Sequence, residues 1–304
     1  MNKTPPQPTG HITEQGQHIP VLLEQTLQYL APQPGESYLD VTAGYGGHAK
    51  AVAERTGSQS TMTLIDRDQN AVTALQPFID GGARLIHSDF LSAARELHAE
   101  GQRFDMVLAD LGVSSPQFDV DARGFSFKRA AELDMRMDQR EELSAATVVN
   151  EWPQEEIAKI IWRYGEEPLA RRLAEAIVAH RPIAGTVELA EVIATIAKRK
   201  RIDATTRTFQ AIRIAVNQEL AMISGFMELI PDLLTPGGRV VIISFHSLED
   251  RIVKKFFAEE AKAGYEAQLT ILTKRPIDGA TYDVSNPRAR SAKLRAAAKI
   301  KNVV

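Results

Sequence analysis

The segment Tyr38-Leu39-Asp40-Val41-Thr42-Ala43-Gly44-Tyr45-Gly46-Gly47-His48-Ala49-Lys50 constrains the fold more than any other part of the chain. It opens on β-prone apolar residues, meets a carboxylate, bends through three glycines and runs on as helix-forming sequence to about Arg55. This is the pattern of a strand, a tight turn and a helix start. Glycine in such a turn can take positive φ and lets a ligand come close to the backbone. The helix that follows points its unpaired N–H groups at whatever sits on the turn. A second apolar run, Thr61 to Ile65, ends in Asp66, 20 residues after Gly46. Nucleotide-binding α/β folds carry at this distance the acid that holds ribose hydroxyls.

The nature of the nucleotide is less constrained. Gly44 to Ala49 fits G-x-G-x-x-A, the dinucleotide fingerprint. Asp40, four residues before the loop, suits a ligand with a cationic amino-acid end better than a pyrophosphate. S-adenosylmethionine is such a ligand, with adenosine for Asp66 and its sulfonium and α-ammonium near Asp40, Gly44 and Gly46.

Further on, Ala83 to His87 and Phe104 to Asp110 read as third and fourth strands. Helical segments Asp68–Phe78 and Leu91–Ala99 lie between strands. Such β-α alternation predicts a doubly wound parallel sheet, whose ligands sit at the carboxyl ends of its strands. Asp40, Asp66, Asp89, Phe90 and Asp110 all fall at those ends.

The alternation then stops. Between about Phe118 and Ile223 the periodicity is helical, with segments 144–150, 154–164, 168–180, 186–197 and 206–226, and with Ser144 and Thr186 as N-caps. The expected organisation is therefore a tail at 1–17 too polar to fold, a nucleotide-binding domain made of 18–117 and 224–304, and an inserted all-helical domain at 118–223. Gly237 to Phe245 returns as a strand, Arg251 to Glu260 as a helix, and Gln268 to Thr273 as a late strand. Ser247 with Asp250 reads as a helix-capping box.

Composition excludes several classes. There are no cysteines, hence no disulfides or thiolate chemistry, and the seven histidines show no paired spacing with acids that would mark a metal site. No apolar run is long enough to span a membrane and no export signal is evident, so a cytoplasmic location is the default. Net charge is -3, but basic residues cluster. Six fall between Lys198 and Arg213 against one acid, and six between Val284 and Val304 against none. Both strips, including Arg207, Arg213, Arg288, Arg290 and Lys293, are candidates for phosphate contacts, with a solvated surface as the alternative. Asn286 to Ser291 reads as a phosphate clamp, because the planar guanidinium fork matches phosphate oxygens.

Several strings together resemble one family: HIPVLLEQ at 18–25, DVTAGYGGHAK at 40–50, DLGVSSPQFD at 110–119, RGFSF at 123–127, LDMRMD at 133–138, RTFQAIRIAVNQEL at 207–220, LTPGGRVVIISFHSLEDRIVK at 234–254 and NPRARSAKLRAA at 286–297. They are similar to the bacterial 16S ribosomal RNA cytosine-N4 methyltransferases of the MraW type, over nearly the whole chain from His18 to Lys299. The resemblance implies a Rossmann-like methyltransferase that uses S-adenosylmethionine, with a helical insertion that recognises the substrate. The implied acceptor is the exocyclic amine of one cytidine in the decoding region of the small-subunit RNA. By matching motifs, Gly46, Gly47 and His48 contact the cofactor in the loop, Asp66 its ribose and Phe90 its adenine, while Asp110 and Gln117 lie nearest the methyl group. Ser244 and His246 close a strand beside this site, and His246 either orients the base or carries a proton.

The chain departs from the acid-x-Pro-aromatic tetrad of many amino-methyltransferases. It reads Asp110-Leu111-Gly112-Val113-Ser114-Ser115-Pro116, which keeps the acid and lacks the stacking aromatic. Asp110 is the expected amine orienter, and Phe118, Phe125, Phe127 and Phe245 are alternatives for the base platform. Two other readings remain: a nicotinamide-dependent oxidoreductase, for which no Tyr-x-x-x-Lys set is evident, and a non-catalytic RNA-binding or assembly protein. The sequence leaves open a homodimer, and whether free RNA or the assembled subunit is the substrate.

Overall fold

The computed structural model describes residues 20–112, 123–197 and 201–300, without the side chains of 201 and 202. The chain divides into two compact units: Met1–Gly112 with Met222–Val304, and Val113–Ala221.

The first unit is built on one sheet. Its elements run α1 (Leu23–Leu30), β1 (Tyr38–Asp40), α2 (Gly47–Thr56), β2 (Met62–Asp66), α3 (Gln69–Ala74), α4 (Gln76–Asp80), β3 (Arg84–His87), α5 (Phe90–Ala99) and β4 (Phe104–Asp110). After the second unit the chain returns through the later part of α11 (Glu219–Leu233), then β5 (Leu234–Ser244), α12 (Ser247–Glu260), β6 (Leu269–Ile271), β7 (Ile277–Asp278), α13 (Gly279–Tyr282) and β8 (Lys293–Lys299). The order is β3-β2-β1-β4-β5-β8-β6, with β7 beside β8. The first five strands are parallel, and β8 runs antiparallel to β5 and β6.

Strands covered on both faces need near-continuous apolar sequence, and all three residues of β1 are buried. Tyr38, Leu64, Leu108, Val241, Ile243 and Leu294 join one core with Leu27 and Leu30 of α1 and Val52 of α2. The strand order reverses between β1 and β4, so the crevice at their carboxyl ends is the topological switch point. Five parallel strands thus deliver His87, Asp66, Asp40, Asp110 and Ser244 to one edge of the sheet.

β8 does not follow from the local sequence. Its Lys293, Arg295 and Lys299 read as a basic strip, yet Leu294, Arg295, Ala296 and Ala297 are buried between β5 and β6. Arg295 is buried because Asp250 on α12 takes its guanidinium through bonds of 2.7 and 3.2 Å. The expectation of a phosphate strip extending to the C-terminus is corrected here: Arg295 faces a carboxylate in the interior. The capping box also shifts by one residue. His246, not Ser247, caps α12, and its partner is Glu249, not Asp250.

The second unit is helical: α6 (Ala145–Glu151), α7 (Gln154–Gly165), α8 (Ala170–Ala179), α9 (Thr186–Ile196) and α10 (Arg201–Asn217). Val148, Ile157, Ile161, Leu173, Ile177, Leu189, Ile193 and Ile212 form its core, drawn from every one of these helices. Helices α7 and α10 come together at Gly165, where a Cβ would stand 2.7 Å from the Arg207 carbonyl. Ser144 caps α6 as expected, accepting from the Thr147 N–H. Gly185 caps α9 in place of Thr186, whose hydroxyl instead accepts from the Ala131 N–H and donates to the Arg129 carbonyl. The helix read as 206–226 is broken: α10 ends at Asn217, Gln218 takes φ 50°, and α11 begins at Glu219. Asn217 fixes this corner, accepting from the Met137 N–H and donating to the carbonyls of Met135 and Arg213.

Candidate active site

The turn after β1 is held from both sides. The Ala43 N–H donates to the Ile65 carbonyl, and the Gly44 N–H donates at 2.8 Å to Asp66 Oδ2. Gly46 takes φ 76°, and a Cβ there would stand 2.5 Å from the Phe78 ring. Any larger residue would therefore meet both backbone strain and a clash. Helix α2 starts at Gly47 with no side-chain cap, which leaves its first N–H groups facing the turn.

Three carboxyl groups surround this turn. Asp40 is buried, accepting from the Tyr38 hydroxyl at 2.8 Å and from the Thr42 N–H at 3.1 Å. Burial pushes it up to about 7, although both hydrogen bonds pull the other way. Burial also raises Asp66, against the N–H groups of Asp68 and Gly44. Asp110, at the end of β4, is raised well above the usual carboxylate range by burial and by the charges of Asp40 and Glu249. Its Oδ1 has no hydrogen-bond partner among the described residues. The Asp110 N–H is anchored on the Thr42 hydroxyl at 2.6 Å, which ties the end of β4 to the loop.

His48, the second residue of α2, is buried, and neither ring nitrogen has a hydrogen-bond partner among the described residues. Burial pushes it down to about 4, so it is neutral near pH 7. Its Nε2 stands 3.7 Å from Asp110 Oδ2, too far for a hydrogen bond, and because the ring is neutral near pH 7 the two form no ion pair there. Phe90 opens α5 beneath the N-cap Asp89, and its half-buried ring meets Phe226 edge-on at 5.6 Å.

The end of β5 lies beside that of β4. The Leu111 N–H donates to the Ile243 carbonyl, and a Cβ on Gly112 would stand 3.3 Å from the Phe245 ring. Ser244 is buried, its hydroxyl donating at 3.3 Å to the Lys293 carbonyl. His246 accepts the Glu249 N–H on Nδ1. Glu249 is fully buried, and its Oε2 takes the N–H groups of Phe245 at 2.7 Å and His246 at 3.2 Å. Sequence reasoning missed Glu249. The signal was present as an acid three residues after a possible N-cap, but Ser247 drew the assignment.

The other expected residues are more scattered. Gln117 and Phe118 lie outside the described residues. Phe125 is buried in the helical unit's core and Phe127 packs on Phe209 there. Arg213 is mostly buried in a two-bond ion pair with Glu219, and the half-exposed Arg207 lies 3.4 Å from Glu167. Lys293 stands 3.7 Å from Asp250, while Arg290 is exposed.

A site with three proton-hungry carboxyl groups is complementary to a positively charged ligand and repels a diphosphate. S-adenosylmethionine fits this donor set. Asp66 beside the loop would take the ribose hydroxyls, the Phe90 ring the adenine, and Asp40, the loop and the orphaned polar atoms of His48 and Asp110 its cationic end. The doubly wound sheet and this carboxylate-ringed loop define a methyltransferase that uses S-adenosylmethionine.

Residues 15–300 match the family model of the MraW methylase family, and the chain belongs to that family. Its curated relatives include ribosomal RNA small subunit methyltransferase H of Nostoc sp., 47% identical over 93% of this chain and 92% of the relative. The protein of the same name from Thermomicrobium roseum is 44% identical over 93% of this chain and 94% of its own length, and that from Acidobacterium capsulatum is 44% identical over 94% and 99%.

Proposed function

We propose that the protein methylates the exocyclic N4 amine of a cytidine in the decoding region of small-subunit ribosomal RNA. Relatives that span the same length carry the name of small-subunit RNA methyltransferases, which supports the RNA class. The observation that carries the choice of acceptor is Asp110, a raised carboxyl at the switch point of the sheet with an oxygen unpartnered among the described residues. The N4 lone pair of cytosine is delocalised into its ring, so the amine is a poor nucleophile. A carboxylate accepting an N4 hydrogen favours the pyramidal nitrogen that can attack.

When bound, S-adenosylmethionine supplies an electrophilic methyl group on its sulfonium. Asp40 and the loop hold the amino-acid end, and Asp66 and Phe90 the adenosine. Asp110 orients the amine and takes up its proton after transfer, a role suited to a carboxyl with raised proton affinity. Alignment, rather than a strong base, supplies most of the rate. Arg288 and Arg290 contact RNA phosphates, and the protein acts in the cytoplasm.

The test is transfer of labelled methyl to small subunits lacking their own methylation, followed by nucleoside analysis. Label in N4-methylcytidine at one site is the expected result. Label in another nucleoside would overturn the choice of acceptor. Asp110→Ala should bind the cofactor yet lose about 100-fold or more in kcat, and full activity in this variant would remove Asp110 from the mechanism.

A further inference from the structure

His246 is tied down more firmly than an ordinary helix cap requires. Its Nδ1 accepts the Glu249 N–H, which consumes the lone pair on that nitrogen. In the neutral ring the proton must then sit on Nε2. Glu249 fixes the arrangement, because its Oε2 accepts the main-chain N–H groups of both Phe245 and His246. Glu249 Oε1 comes within 3.2 Å of His246 Nε2, but out of line, so Nε2 is a buried atom without a hydrogen-bond partner among the described residues. A buried donor left unpaired is destabilising, and that cost is removed when a ligand supplies an acceptor.

The position of this donor matters as much as its chemistry. His246 follows β5, whose Ile243 pairs with Asp110 of β4. Glu249 is close enough for its charge to act on Asp110, and the Gly112 backbone packs against the Phe245 ring. The ends of β4 and β5 therefore present a carboxyl oxygen and an imidazole N–H donor, each unpartnered among the described residues. Cytosine offers the complement on its Watson–Crick edge: an amine donor at N4 and, next to it, an acceptor at N3. Uracil reverses both, with an acceptor at O4 and a donor at N3.

We propose that His246, held by Glu249 as the Nε2–H tautomer, donates a hydrogen bond to N3 of the acceptor cytosine and, with Asp110, selects cytosine over uracil. The proposal rests on the N4 reading above. His246 is then a catalytic residue in contact with substrate, and Glu249 is a positioning residue acting through it. A donor facing a donor leaves both buried and unpaired, which gives far stronger discrimination than size or shape.

The experiment compares small subunits assembled on RNA carrying cytidine or 3-deazacytidine at the acceptor position, the latter keeping the N4 amine but replacing N3 by C–H. In the wild-type protein, kcat/KM should fall roughly 10- to 100-fold on the deaza substrate, the loss of one buried hydrogen bond. His246→Ala should lose a similar factor on cytidine and show no further loss on 3-deazacytidine. His246→Gln, which restores an N–H donor, should recover part of both the rate and the discrimination. Glu249→Gln should narrow the ratio between the two substrates while cofactor affinity, measured by calorimetry, stays unchanged. Equal rates on the two substrates in the wild-type protein would overturn the proposal with no variant needed, as would an undiminished ratio in His246→Ala. Nucleoside analysis of the same samples separates the failures. Methyl on an atom other than N4 sinks the underlying reading, whereas methyl on N4 without N3 dependence sinks only the role of His246.

Discussion

Asp40 carries a proton affinity that its surroundings alone create. Its folded value of about 7 stands well above that of an unfolded aspartate, so the folded chain binds the proton more tightly. The contribution of Asp40 to the stability of the cofactor-free protein should therefore fall as pH rises from about 4 to about 7, and level off above that range. His48 works in the opposite sense. Burial lowers it to about 4, so its contribution is present above about 6.5 and is lost as pH falls below that. The two slopes oppose each other between about pH 4 and 7, so Asp40→Asn should leave a stability that rises with pH over that range in chemical denaturation curves. The same ionisation governs the cofactor. A cationic ligand favours the charged carboxylate, so affinity should rise with pH up to about 8, with proton release on binding near pH 6. Calorimetry in buffers of different ionisation enthalpy would show this, and a pH-independent affinity would separate Asp40 from the cationic end. Much of the residue-level site was legible from sequence, because Asp40, Asp66, Phe90 and Asp110 follow from one rule about strand ends. Glu249 and the tautomer of His246 were not, since both depend on which of two adjacent residues caps a helix.

Among the elements, β8 carries a buried arginine that depends on one acid, Asp250. The Asp250–Arg295 pair ties α12 to the middle of β8 with both side chains buried. Removing one partner strands a charge inside the protein and should cost about 3–5 kcal/mol. Asp250→Ala should lower Tm accordingly, while Asp250→Leu combined with Arg295→Met should recover most of that stability. A small effect of the single change would mean that water reaches the pair. This pair also explains why β8 escaped detection. Lys-Leu-Arg-Ala-Ala-Ala-Lys has no strong strand former, and its arginine becomes an interior residue only through an acid 45 positions away. The broken helix at Gln218 was hidden for a similar reason. The side chain that fixes the corner, Asn217, takes its partners from Met135 and Met137, and nothing between 206 and 226 announces the break.

At the scale of the whole molecule, each unit has its own core. The helical unit's cluster runs from Phe125 to Val216 and draws every member from residues between 113 and 221. A protein of residues 113–221 should therefore fold with a cooperative thermal transition and should not bind S-adenosylmethionine. A non-cooperative melt would show that its stability is borrowed. RNA affinity should depend on cations that reach the surface, among them the half-buried Arg288 and the exposed Arg290. Replacing Arg288 and Arg290 with alanine should reduce the salt slope of binding by about one unit for each phosphate left without its arginine, while Arg295 has no part in it. A change of pattern is visible in the sequence, where β-α alternation ceases near residue 118 and resumes near 237. The ionic state of the second basic strip was not, because burial cannot be read from charge.

The split in the first unit has a consequence for how the chain is made. β4 takes β5 as its neighbour, and the whole helical unit lies between them in sequence. During synthesis β1 to β4 emerge first, and β4 waits as a bare sheet edge until Ser244 has left the ribosome. A long unstructured loop would have to close to complete the sheet, at an entropic cost that grows as the logarithm of its length. If the helical unit folds as it emerges, that loop is replaced by a compact body, and most of the cost is met before β5 arrives. The order of translation would then assemble the insertion before the site at the ends of β4 and β5 exists, and pulse-labelled hydrogen exchange during refolding should find protection in α7 and α10 ahead of β4.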